Sequence, residues 1–277
     1  MAMVRVGDIE MYYEEHGDAA AEPLLLIMGF MMNAAAWAPQ IAALAERYHV
    51  IAFDNRGAGR TTQPEGAYSI PQMAADTAGL LDHLGVESTH VVGASMGGMI
   101  AQEFAIRYPA RVRSLVLACT TPGGPHSAGY EALKANTAMA GEIEDIAAAM
   151  TPERVREQLE QLFTPEFLAN PGPGFGPMVA SIVQYPPTLA GLKGQAAAIA
   201  VHDTYGRLGE IKAPTLVVAG DADPLIDAGN SRILAARIKG AELRMLPGQR
   251  HGFFAEKPDE SSAIVLEFLA RHSAVPA

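Results

Sequence analysis

The chain has 277 residues, 49% of them hydrophobic and 18% charged, with a formal net charge of −11. That composition suits a well-packed globule and excludes an intrinsically disordered chain, while the acidic balance argues against nucleic acid and anionic membrane surfaces as partners. The single cysteine, Cys119, excludes an intramolecular disulfide and any metal site built from several cysteines, and within "SLVLACT" it reads as a small core residue.

The opening stretch "MAMVRVGDIEMYYEEHG" lacks a basic region followed by a long apolar run, so no signal peptide is expected. Apolar runs such as "PLLLIMGFMMNAAAWAP" are interrupted by Gly, Asn and Pro, so no membrane span is expected either, and the expected location is cytoplasmic. "EMYYEEHG" suits an antiparallel strand at the N-terminal edge of a sheet. Residues 23–28, 49–54, 89–94 and 112–119 are short runs rich in Val, Leu and Ile, bounded by turn residues, and predict strands. Helix-like stretches lie between them at 36–48, 70–85 and 96–109. In the second, Met73, Ala74, Leu80, Leu81 and Leu84 form a helical apolar stripe, and Gly85 suits its C-terminal cap. Strand–helix–strand alternation implies a mostly parallel, doubly wound α/β sheet covered on both faces.

After Thr120 the alternation stops. Residues 122–210 contain Pro- and Gly-rich stretches and helix-like segments, one opening at Thr151-Pro152 with Val155, Leu159, Leu162 and Phe163 at helical spacing. The alternation resumes with strands at 214–220 and 241–247 and helices near 228–239 and 258–271. The expected organisation is a core domain of residues 1–121 and 211–277, with a helical insertion, 122–210, placed after strand 6.

"THVVGASMGGM" (89–99) ends a predicted strand in Gly-x-Ser-x-Gly and opens a helix. A strand-to-helix elbow of this kind lifts its serine, Ser95, onto a sharp turn at the carboxyl edge of the sheet. A serine hydroxyl needs a base within hydrogen-bond reach and a third group to orient that base. The chain order Ser, Asp, His that accompanies such elbows places the base after the last strands, where His251 and His272 stand. His272 sits near the chain end in a helical context. His251, in "PGQRHGFF", occupies a glycine-flanked loop and is the better base. The acid is expected in "DADPLID", where Asp221, Asp223 and Asp227 compete. Asp223 precedes Pro224, whose ring restricts the backbone before it, and is preferred, with Asp221 its main rival. Backbone N–H groups of Met96, after the nucleophile, and of Phe30, after the third strand, are the expected oxyanion donors.

These segments resemble the α/β-hydrolase superfamily, in the branch of capped esterases, lactonases and perhydrolases. "PLLLIMGF" resembles the oxyanion loop, "FDNRGAGRT" (53–61) the loop after the fourth strand, "VVGASMGG" the elbow, "GDADPL" the acid loop and "GQRHGFF" the histidine loop, in family order over about nine-tenths of the chain. Most relatives carry His-Gly where this chain has Met28-Gly29, which predicts a more apolar pocket floor. Asp54 and Arg56 are expected to pin loops and take no part in the chemistry. Gly29, Met31, Trp37 and Phe253 are the candidates for the substrate pocket, with Met28, Met32, Met96 and Met99 placed to add apolar surface.

The resemblance implies the α/β-hydrolase fold with a helical cap. It also implies a serine hydrolase that cleaves open-chain esters or lactones through an acyl-enzyme on Ser95, with no metal or organic cofactor. The expected partner is a small ester or lactone with an apolar acyl part, N-acyl homoserine lactones and polyketide methyl esters included. Serine at the elbow argues against haloalkane dehalogenases and epoxide hydrolases, whose elbow carries aspartate. Carbon–carbon bond hydrolysis of the meta-cleavage type and perhydrolase or haloperoxidase activity are the alternatives. A non-catalytic ligand receptor is disfavoured by the complete set of Ser95, Asp223 and His251.

Overall fold

The computed structural model describes residues 1–141 and 151–273. Its centre is an eight-stranded sheet of order β1-β2-β4-β3-β5-β6-β7-β8. The strands are β1 (Ala2–Val6), β2 (Ile9–His16), β3 (Pro23–Ile27), β4 (His49–Phe53), β5 (Thr89–Ala94), β6 (Val112–Ala118), β7 (Thr215–Gly220) and β8 (Glu242–Leu246). From β4 to β8 every pairing is parallel, and β1 and β2 join antiparallel. "EMYYEEHG" therefore forms an antiparallel strand as expected, but the edge itself belongs to β1. Gly7-Asp8 turns the chain back so that Val4 and Val6 of β1 bury inward while Met3 and Arg5 face out.

The period-two pattern of each strand sends alternate side chains into two cores. Leu25, Ile27, Val91, Leu115 and Val217 pack with α2 (Ile70–His83) and α3 (Met96–Arg107) on one face. Leu24, Leu26, Val92, Val116 and Val218 pack on the other face with Leu44 of α1 (Ala38–Ala45) and Phe268 of the C-terminal helix (Pro258–Ala270). Coverage of both faces explains why the central strands read as unbroken apolar runs. The predicted stripe on α2 is buried at Met73, Ala74, Leu80 and Leu81, and Gly85 closes the helix at φ 66°.

Between β6 and β7 the chain builds α4 (Tyr130–Gly141), α5 (Pro152–Glu160), α6 (Pro165–Ala169), α7 (Phe175–Gln184) and α8 (Leu189–Ala200). Residues 142–150 of this predicted insertion lie outside the described residues. Thr151 caps α5 by accepting the Arg154 N–H, and Val155 and Leu159 are buried, as the spacing indicates. The segment forms a third apolar cluster in which Val155, Phe163, Phe175 and Met178 pack with Ala36 and against Met28, Met31 and Met32 of the core. No described helix is long and apolar enough to cross a membrane.

The two ends of the insertion are stitched together. Gly123 and Asp203 form an antiparallel bridge, and Thr204 N–H donates to Pro122 O at 2.8 Å. His202 is buried at this junction, and burial pulls its pKa down to about 4, with the Glu103 and Asp203 charges opposing the shift only in part. The unfolded chain protonates the same ring near 6.5. Between those values the unfolded state binds more protons, so this stabilisation is complete above about pH 6.5 and is lost as pH falls toward 4. His202→Gln is expected to reduce the stability loss between pH 7.5 and 5 by about 2 kcal/mol. Urea denaturation of both proteins at the two pH values measures it.

Candidate active site

One residue separates β5 from α3. Ser95 takes φ 57° and ψ −122°, a conformation that side-chain-bearing residues adopt at a cost of about 1–3 kcal/mol. The turn is held by Ser95 N–H donating to Ala118 O at 2.9 Å and by Ser95 O accepting from Gly98 N–H at 2.9 Å and from the Thr120 hydroxyl at 2.7 Å. Gly97 is required by contact: a Cβ there would lie 2.1 Å from Ile27 O. The elbow glycine thus lets α3 sit against the end of β3, and the loop leaving β3 starts beside the serine.

That loop passes close to the hydroxyl. A Cβ on Gly29 would stand 2.9 Å from Ser95 Cβ and 3.4 Å from Ser95 Oγ. Met96, at the first position of α3, has an N–H with no helical partner, and the Phe30 N–H makes no hydrogen bond among the described residues. The departure from His-Gly leaves the loop anchored by other means. Asn55 Nδ2 donates to Met28 O at 2.7 Å, and Asp54 accepts the Ala34 N–H at 2.8 Å. Arg56 is buried and forks onto Asp76 and Asp8 at 2.7–3.0 Å. Both residues of "FDNRGAGRT" therefore pin loops, in agreement with the sequence.

After β8, His251 Nδ1 meets Asp223 Oδ2 at 2.7 Å, with the two side chains 8% and 1% exposed. The other Asp223 oxygen accepts the N–H groups of Leu225 and Ile226 at 2.8 and 3.0 Å, which fixes the direction of the carboxylate. Its rivals are engaged elsewhere: Asp221 accepts the Gly248 N–H and Asp227 the Gly229 N–H, both at 2.7 Å. His272 packs on Phe268, with ring centroids 4.7 Å apart.

Ser95, Phe30, Met96 and His251 border one cavity of about 600 Å³. Among the described residues lining it there is no Asp, Glu, Lys or Arg. Six methionines contribute among the described residues: the expected Met28, Met31, Met32, Met96 and Met99, and Met178 of α7. Gly29 and Met31 line it as expected, whereas Trp37 and Phe253 do not. Both are fully buried in the core behind the wall, where the Trp37 ring stands edge-on to Phe254 at 5.3 Å. One residue further along the short helix Phe253–Glu256, Phe254 reaches the cavity, since a helical step turns adjacent side chains about 100° apart. Sequence reasoning tied substrate choice to the insertion but named none of the residues with which it walls the cavity, including Val155, Leu159, Phe163 and Ile182. Their ordinary helical apolar spacing marks a packed face without saying what it packs on.

The sequence pattern of the family described as alpha/beta hydrolase fold matches residues 22–258. The chain belongs to this family. RutD of Azorhizobium caulinodans, named for an inferred carbamate hydrolase activity, is 34% identical over 264 residues, covering 95% of this chain and 96% of that protein. Among solved structures, a hydrolase from Pseudomonas aeruginosa superposes with TM-score 0.85 at 30% identity, covering 97% of each chain. The enol-lactonase from Burkholderia xenovorans LB400 superposes with TM-score 0.86 at 26% identity, covering 97% of this chain and all of that one. The chain is a hydrolase of the α/β-hydrolase fold.

Cys119 also borders the cavity, at φ 40°. Burial pushes its thiol well above the usual cysteine value, and the Asp223 charge adds to the shift. The thiol therefore stays protonated at pH 8 and is expected to resist Ellman's reagent in the folded protein. Full reaction in 8 M urea, against less than about one-tenth in buffer over the same time, is the expected result.

Proposed function

We propose that the protein is a serine hydrolase of carboxylic esters, open-chain or lactone, working through an acyl-enzyme. The observation that carries this reading is the 2.7 Å bond between His251 Nδ1 and the buried Asp223 carboxylate, in a cavity shared with Ser95 at its strained elbow. The Asp223 bond holds the imidazole in the tautomer that keeps Nε2 as proton acceptor.

Ser95 Oγ attacks the carbonyl carbon while His251 Nε2 takes the hydroxyl proton. The oxygen that gains charge is met by the N–H groups of Phe30 and Met96, preset donors that need no rearrangement as the charge develops. Collapse breaks the bond to the leaving alcohol, which receives the proton from Nε2. Water then gives its proton to His251 and attacks the acyl-enzyme, releasing the acid and restoring Ser95.

Residues 122–210 act in this reading as a cap on a core of 1–121 and 211–277, and they supply much of the acyl pocket. A cavity of about 600 Å³ with no charged side chain among its described lining residues favours neutral substrates with an apolar acyl part. N-acyl homoserine lactones fit that description, and a carboxylate-bearing lactone does not. The enol-lactonase similarity supports lactones as a substrate class, and RutD extends the same carbonyl chemistry to carbamates.

Burst release of p-nitrophenol from an activated butyrate or octanoate ester, with fluorophosphonate labelling of Ser95, is the expected behaviour. Ser95→Ala lowers kcat by at least about 10⁴-fold. His251→Ala and Asp223→Asn lower it strongly, while His272→Ala and Asp221→Asn retain activity. Wild-type protein that neither hydrolyses esters nor takes the label overturns the reading.

A further inference from the structure

The loop carrying the Phe30 amide is held from the core by Asn55 and Asp54, and from the insertion by one buried side chain. Gln195 of α8 is fully buried. Its Oε1 accepts the Met31 N–H at 3.0 Å, and its Nε2 donates to Arg56 O at 2.8 Å. Both ends of the carboxamide are therefore fixed, the second to a residue itself locked between Asp76 and Asp8. Leaving a buried carboxamide unpaired in this position is costly, so the side chain favours the one arrangement in which Met31 comes to it.

Met31 follows Phe30 directly and stands at φ 63°. A methionine adopts this left-handed conformation at a cost; the turn is closed within the loop by Met32 N–H to Gly29 O, and the Gln195 contact adds a hold from outside. Without the Gln195 contact, among the described residues only the local bond from Met32 N–H to Gly29 O at 3.3 Å opposes a flip of the Phe30–Met31 peptide to an ordinary turn. The preceding peptide, whose N–H is that of Phe30, would rotate with it. A second contact from the insertion, Ser181 Oγ to Asn33 Oδ1 at 3.0 Å, holds the loop two residues further on but leaves the Met31 amide untouched.

We infer that Gln195 is a positioning residue that holds Met31 in its left-handed turn and so aims the Phe30 N–H at the oxyanion. The oxyanion site is then complete only when the insertion is docked on the core. This rests on the serine-hydrolase reading above and adds the control of its oxyanion site.

Gln195→Met keeps the side chain's length and removes both hydrogen bonds. The comparison is with Gln63→Ala, which breaks the bond from Thr188 N–H to Gln63 Oε1 at the start of the same helix, away from the loop. The expected result for Gln195→Met is a kcat lower by about 10- to 100-fold with KM within about twofold, short of the loss when an oxyanion donor is removed outright. A trifluoromethyl ketone, which adds Ser95 to form a charged hemiketal, loses affinity by a similar factor. The matching methyl ketone, bound without addition, keeps its affinity, and Gln63→Ala keeps wild-type values throughout. If Gln195→Met does not fold, Gln195→Asn, too short to reach Met31, gives the same readouts.

Unchanged kcat and trifluoromethyl ketone affinity overturn the inference. So does an equal loss of affinity for both ketones, or an equal loss of kcat in Gln63→Ala, since either traces the defect to a generally loosened insertion. A wild-type protein without ester turnover or fluorophosphonate labelling overturns the serine-hydrolase reading instead, and the two failures are distinguishable.

Discussion

The structure turns on a one-residue connection. Running from β5 into α3 through Ser95 alone forces a left-handed backbone at that residue and brings the first turn of α3 against the end of β3. The Gly97–Ile27 contact makes that approach possible, and the bonds to Ala118, Gly98 and Thr120 stabilise it against strain of a few kcal/mol. Once the elbow is set, the surrounding loops have little freedom. All the parallel strands end on the same side, so Gly29-Phe30 after β3, Cys119-Thr120 after β6, Asp223 after β7 and His251 after β8 emerge around Ser95. A parallel sheet thus converts order along the chain into proximity in space.

That conversion is why so much of the proposed site was legible. Each loop after a strand carried few chemically capable residues, and the period-two apolar runs marked where each strand ended. Asp221 and Asp223 marked the limit of this logic. Both follow the same strand in the same short loop, and chain order does not separate positions two residues apart. The separation lies in the turn itself, where the Leu225 and Ile226 amides capture one Asp223 oxygen and leave the other for His251, while Asp221 turns back to Gly248. Trp37 and Phe253 fail for a related reason. "HGFF" offers two adjacent phenylalanines, and the phase of a four-residue helix decides which one reaches the cavity.

The insertion was legible as helical but not in its contacts. "LAGLKGQAAAIA" is rich in Ala and Gly, which pack against a core without forming a strong apolar stripe, so the buried face of α8 carries no periodic signal. Gln195 is a lone polar side chain in that context, and it is fully buried with both ends of its amide satisfied. Its partners, Met31 and Arg56, lie more than a hundred residues away in loops whose own conformations had first to be known. Long-range polar contacts of this kind have no local pattern, because the partner is an ordinary backbone group.

The insertion grips the histidine loop as well as the oxyanion loop. Gly252 N–H, next to His251, donates to Leu162 O at 2.8 Å, and Arg250 donates to Phe163 O at 3.0 Å. Leu162 and Phe163 also line the cavity, so on the serine-hydrolase reading the segment proposed to bind an apolar acyl group is continuous with the segment that fixes the proposed base. On that reading each methylene buried there would contribute about 0.8 kcal/mol, and would favour the docked insertion to the extent that the acyl group contacts insertion and core together. Docking in turn steadies the groups around the reacting carbonyl. On the serine-hydrolase reading, binding energy gathered far from the scissile bond would then be expressed at it, as alignment of His251 on one side and of the Phe30 amide on the other. Under the proposed function, acyl-group selectivity and catalytic geometry are two consequences of one apolar interface.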